Sequence, residues 1–103
     1  MSIRMERAGT EIQKVLSSQL LKTPAFLTIL EVKVSPDLSS AEIYFSLFGS
    51  EAQCHETMLF LEDRKKALRM EVGKQVKLRL TPELVWVRDY SPERADRIHQ
   101  LLK

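Results

Sequence analysis

Two runs of period-two alternation, separated by a cluster of turn-forming residues, constrain this chain more than any other feature. Thr28, Leu30, Val32 and Val34 fall on one face of an extended segment, with Ile29, Glu31, Lys33 and Ser35 on the other. Ala41, Ile43, Phe45 and Leu47 repeat the pattern opposite Glu42, Tyr44, Ser46 and Phe48. Alternation of this kind marks a strand with one buried face, because successive side chains point to opposite sides of a sheet. Between the runs stands Ser35-Pro36-Asp37-Leu38-Ser39-Ser40, rich in residues that favour turns. The spacing predicts an antiparallel hairpin.

A lone hairpin is marginal in water, so the flanking segments must cover its apolar face. Residues 3–21 place Met5, Ala8, Ile12, Val15, Leu16 and Leu20 at three- and four-residue intervals, the stripe of an amphipathic helix. Arg4, Arg7, Glu11, Lys14 and Ser18 mark its opposite side. Gly9 weakens this helix by about 1 kcal/mol relative to Ala, and Thr23-Pro24 stops it. Gly49-Ser50 ends the second strand, with Ser50 placed to cap the next helix.

From Glu51 to Val72 the pattern is helical but internally conflicted. Cys54, Met58, Leu61, Leu68 and Val72 make a stripe that holds Lys65 as well. A buried, unpaired ammonium is costly. A break near Asp63–Lys66 would turn Ala67, Leu68 and Val72 inward and Lys65 outward; alternatively, Lys65 snorkels along the core edge. Gly73 is placed as a C-terminal cap. Val76, Leu78 and Leu80 then alternate with Lys77 and Arg79, Thr81-Pro82 interrupts, and Leu84–Val87 reads as a short strand. Ser91-Pro92-Glu93 opens a last helix lined by Ala95, Ile98 and Leu102. The expected order is helix, strand, strand, broken helix, strand, helix, in a single domain over residues 1–103.

At 103 residues such a domain builds its core without disulfides or a structural metal. The longest apolar run, Met58–Leu61, is far below the roughly 20 residues that span a bilayer. Nothing near the start resembles a secretory h-region, since Arg4, Glu6, Arg7 and Glu11 interrupt the first turns. The single cysteine, Cys54, fits a reducing compartment. These features together predict a soluble, cytoplasmic domain.

The net charge of +2 conceals an asymmetry. Residues 1–63 carry 5 basic and 9 acidic side chains; residues 64–103 carry 11 basic and 5 acidic. Arg64, Lys65, Lys66, Arg69, Lys74, Lys77 and Arg79 crowd one stretch against the single anion Glu71. Such an excess attracts polyanions, phosphate backbones above all. A merely solvated helix face accounts for the same run.

No catalytic constellation accompanies it. His55 and His99 are isolated, and Cys54 beside His55 points about 100° away on a helix. Glu62 and Asp63, followed by Arg64-Lys65-Lys66, read as surface ion partners. No Gly-rich phosphate loop or nucleophile elbow occurs. The expectation is a protein that is not an enzyme and holds no cofactor or metal.

Longer stretches match something specific. Lys74-Gln75-Val76-Lys77-Leu78-Arg79-Leu80-Thr81-Pro82-Glu83-Leu84, continuing to Trp86, Asp89 and Ser91, closely resembles the signature GK-x-x-R/K-L-R-φ-x-P-E-L…F…D-x-S of the bacterial ribosome-binding factor A family. Val32-Lys33-Val34-Ser35-Pro36-Asp37-Leu38-Ser39-Ser40-Ala41-Glu42-Ile43-Tyr44 resembles that family's V-x-φ-S-x-D-L-x-x-A-x-φ-Y hairpin. Arg7 with Glu11-Ile12-Gln13-Lys14 resembles its first helix.

The resemblance implies an α+β fold, a type II KH-like domain with helices packed on one face of a three-stranded sheet. It also implies binding to the small ribosomal subunit and its rRNA, assistance in late maturation with rRNA 5′-end processing, and a role in growth in the cold. The sequence departs from the family at two places. Arg64-Lys65-Lys66 stands where the family has A-x-G at a helix kink, and Thr23-Pro24-Ala25-Phe26 shortens its D-P-R-L segment.

The expected RNA-binding surface is therefore Arg64, Lys65, Lys66, Arg69 and Lys74, extended by Lys77 and Arg79. Arg4, Arg7 and Lys14 form a secondary contact or plain surface charge. Expected partners are the small subunit, its rRNA, neighbouring ribosomal proteins and other assembly factors; no membrane is expected, and the protein is a monomer. The competing reading is a KH-like or ferredoxin-like protein–protein interaction module whose basic face only solubilises it.

Overall fold

The computed structural model describes residues 3–90, and side chains from Glu6 onward. Helix α1 (Ile3–Gln19) leads into strands β1 (Phe26–Val34) and β2 (Ser40–Phe48). Helix α2 (Glu51–Gln75) and strand β3 (Glu83–Arg88) complete the order. The helix expected from Ser91 lies outside the described residues, as do the side chains of Arg4 and Met5.

Strands β1 and β2 pair antiparallel, and β3 adds to the other edge of β2 in parallel. Ala41, Ile43, Phe45 and Leu47 on central β2 are buried together with Ile12 and Leu16 of α1 and Leu61, Leu68 and Val72 of α2. Phe45 meets Trp86 of β3 edge-on, with ring centroids 5.7 Å apart. The opposite sheet face carries Phe26 and Phe48, direct cross-strand partners that are each 71% exposed. The architecture is α+β, two helices on one face of a three-stranded mixed sheet. Among the described residues no helix is long and apolar enough to cross a membrane.

The hairpin turn is built as its residues require. Asp37 accepts from the Ser35 hydroxyl at 2.7 Å, the Ser39 hydroxyl at 2.7 Å and the Ser39 amide at 3.1 Å. Leu38 takes the left-handed conformation, φ 62°. The Ser35 hydroxyl, then the bonds from Ser39, hold the Asp37 carboxyl at about 2, below its ordinary 3.8. A depressed carboxylate pKa adds stability that is complete above 3.8 and is lost as pH falls toward 2. Denaturant unfolding followed into acid should show this loss in the native chain and a flatter profile in Asp37→Ala. Identical profiles would mean that the turn bonds do not couple to folding.

Three expectations need correction. The first concerns β1, where strict alternation grouped Leu30 with Val32 and Val34. The register slips between Ile29 and Glu31, so Leu30 is an extra, bulged residue. The bulge shifts the phase: Ile29 is buried, Leu30 is 42% exposed, and Val32 and Val34 pack inward beyond it.

The second concerns the break near Asp63–Lys66. Helix α2 runs unbroken through it. Lys65 is only half-buried and so keeps its stem in the stripe without burying its charge. Ala67, expected to turn inward with a second helix, is exposed.

The third concerns Gly73, which caps nothing. It sits inside α2, whose last turn ends at a Val76 cap with its amide bonded to the Val72 carbonyl at 2.8 Å. The other end of α2 is as expected. Ser50 and Gln53 exchange side-chain and backbone bonds in a complete capping box.

Candidate nucleic-acid interface

An unbroken α2 decides where its cations lie. Each residue advances about 100° around a helix. Buried Thr57, Leu61, Leu68 and Val72 define the inward side. Lys65, Arg69 and Lys66 follow around one flank, all within about 100° of one another. Arg64, five residues before Arg69, falls about 140° from it. Its guanidinium carbon lies 4.7 Å from the centre of the Phe60 ring, a cation–π contact on the other flank. Lys74 is exposed further round the outward face.

The segment 76–82 joins α2 to β3 and carries Lys77 and Arg79. Val76 and Pro82 are buried and Leu78 packs against the core, while Lys77, Arg79 and Leu80 are exposed. The Arg69 Nη2 donates to the Thr81 carbonyl at 3.0 Å. One turn on, a Cβ added to Gly73 would lie 2.8 Å from Thr81 Oγ1. The segment thus folds back against the flank of α2 that bears Arg69. Thr81, and with it the segment that carries Lys77 and Arg79, lies on the flank of Lys65, Lys66 and Arg69, whereas Arg64 lies on the other flank. Two apolar side chains, Met70 and Leu80, are about two-thirds exposed beside these cations.

Helix α1 presents Arg7 and Lys14, both exposed and seven residues apart, hence on one face. The chemistry available to such surfaces is phosphate binding: fixed cations that position a polyanion without reading its sequence. Among the described residues no group of three or more His, Cys, Asp or Glu side chains is placed to hold a metal. His55 is exposed, Cys54 is buried in the core, and His99 lies outside the described residues.

Sequence reasoning identified the cations but missed that the segment 76–82 folds back on α2 at Arg69 and Gly73. The available signal was a glycine within a helical pattern, which usually has a packing reason. Its partner, Thr81, carried no signal at all.

The family model described as ribosome-binding factor A matches residues 4–102. The ribosome-binding factor A of Dictyoglomus thermophilum is 42% identical over 106 residues, covering 97% of this chain and 88% of its own length. The crystal structure of ribosome-binding factor A from Thermus thermophilus superposes with a TM-score of 0.69 at 22% identity, covering 82% of this chain and 94% of that one. A homology model of the Thermus thermophilus ribosome binding factor A, fitted into a cryo-EM map of a 30S–RbfA complex, gives 0.65 at 23% identity, over 80% and 91% of the two chains. The structural neighbours share the KH-like α+β fold of this chain.

Proposed function

The chain belongs to the ribosome-binding factor A family, and from that membership we propose that it is a non-enzymatic assembly factor docking on the immature small ribosomal subunit through rRNA phosphates. Lys65, Lys66 and Arg69 on one flank of α2 make the main contact, extended by Lys77 and Arg79 on the returning segment, with Arg64 and Lys74 on other sides of the helix adding peripheral charge. There it assists late maturation of the subunit, including 5′-end processing of its RNA. It works in the cytoplasm as a monomer beside ribosomal proteins and other assembly factors.

The observation that carries this reading is the basic flank of α2 with the segment 76–82 folded against it. Seven cations face one anion over 64–79, and exposed cations on rigid elements suit a phosphate backbone. The seat of the Thermus relative on the small subunit supports the choice of partner.

Co-sedimentation with purified small subunits over a range of salt concentrations tests it. Five phosphates neutralised should give a slope of log affinity on log salt of roughly −3.5 to −4.5. A slope near zero would remove the phosphate contact.

A second reading is supported by the open sheet face, where Phe26 and Phe48 stand exposed side by side. Exposed apolar patches mark protein contacts. A protein-docking module tolerates changing Arg64, Lys65 and Lys66 to Ser together; the RNA-docking reading does not.

A further inference from the structure

We propose that Arg69 and Gly73 are positioning residues for the basic surface: together they seat the segment 76–82 on α2 and so fix where Lys77 and Arg79 present their charge. The proposal rests on the phosphate-docking reading above.

Two independent features converge on Thr81. The Arg69 guanidinium donates to its carbonyl at 3.0 Å. Gly73, one turn along the same flank, leaves room for its side chain, where a Cβ would meet Oγ1 at 2.8 Å and Cγ2 at 3.6 Å. A glycine in a helix interior costs stability relative to Ala, and this one is not a cap. What it permits is close approach of the returning chain.

The seat matters because the segment makes few bonds of its own. After the Val76 cap its one further backbone hydrogen bond among the described residues is Leu78 amide to Val76 carbonyl, 3.0 Å. Next come Arg79 and exposed Leu80, and then Thr81 and buried Pro82 return the chain to β3. Buried Val76 and Pro82 and the core-packed Leu78 anchor the segment to the core, and the Arg69 bond with the Gly73 gap holds it against the flank of α2 that bears Lys65 and Lys66. Cations on a fixed scaffold can match a rigid row of phosphates, whereas cations on a loose segment must first be ordered. Arg suits this role better than Lys, since its planar fork binds a carbonyl and keeps further N–H groups outward.

The test reads the salt dependence of small-subunit co-sedimentation, because a variant that merely loses stability lowers apparent affinity without changing that slope. Gly73→Ala changes no charge. It should nevertheless flatten the slope toward that of Lys77→Ser/Arg79→Ser, a loss of about 1.4–1.8 for two phosphates at roughly 0.7–0.9 each. Adding Thr81→Ala removes Oγ1 and Cγ2, the two nearest atoms the new Cβ would meet, leaves only an ordinary 3.7 Å contact to the Thr81 Cβ, and should restore the native slope. Arg69→Ala should flatten it by more than the single-phosphate value. Circular dichroism checks that each variant is folded.

A folded Gly73→Ala with the native slope overturns the proposal, as does an Arg69→Ala effect of one phosphate or less. A flat slope in the native protein is a different result, which overturns the phosphate-docking reading and this assignment with it.

Discussion

Thr57→Val is expected to destabilise the fold by about 1–3 kcal/mol, although it exchanges a hydroxyl for a methyl of nearly the same size. Thr57 is fully buried in α2. Its hydroxyl accepts the Ala25 amide at 2.8 Å and donates to the Gln53 carbonyl at 2.8 Å. Ala25, itself 1% exposed, lies in the short connection between α1 and β1. Valine would leave that amide buried without a partner, and the cost of an unmade buried bond exceeds the gain from one made. For a domain near 100 residues the loss corresponds to roughly 4–8 °C in Tm per kcal/mol. Thr57→Ser keeps both bonds and should fall between valine and the native chain. Thermal melts by circular dichroism decide: a valine variant as stable as the native protein would show that the Ala25 amide finds another partner.

That bond was not legible in the sequence. Thr57 sits in an apolar stripe at helical spacing, and its partner is 32 residues away. What was legible rests on period and local chemistry. The β2 alternation, the Ser50 cap, the Asp37 turn and the α1 stripe all stand as their residues require, because each depends on neighbours within a few positions. The misreadings share a cause: a tertiary contact overrode a local rule. Strict period two carried Leu30 to the wrong face because a bulge leaves no mark in an apolar run. Gly9 reads as a weakness in α1, yet a Cβ there would lie 2.7 Å from the Val32 carbonyl of β1. Close packing of helix on strand wins over the roughly 1 kcal/mol of helix propensity. Gly73 follows the same logic against Thr81.

The unbroken α2 also changes how the charge run is understood. In sequence Arg64, Lys65 and Lys66 form one block; on a continuous helix they point in three directions. Lys65, Lys66 and Arg69 share one flank of the helix, and the separate stretch that bears Lys77 and Arg79 returns against that flank at Thr81. Lys65 stays within the inner stripe by keeping its stem along the core. Charge density along the chain is therefore a poor guide to charge density on the surface.

The largest expected effect on binding follows from that grouping. Lys66→Ser/Lys77→Ser/Arg79→Ser removes three exposed cations from the shared flank and its folded-back segment. If each neutralises one phosphate, the salt slope should flatten by about 2–2.7. At roughly 1 kcal/mol per contact, small-subunit affinity should fall about 100-fold at a fixed moderate salt concentration. Arg7→Ser/Lys14→Ser removes two cations from α1, where exposed Glu6 and Glu11 lie within a turn and offset their field. Its slope should flatten by less than one phosphate's worth and its affinity fall less than tenfold. All five side chains are exposed, so neither variant should move stability by more than about 0.5 kcal/mol per site. Both are measured by co-sedimentation at one salt concentration, after melts show them folded. Should the α1 variant bind more weakly than the triple variant, the principal RNA face belongs to α1, and the segment seated on α2 is secondary to it.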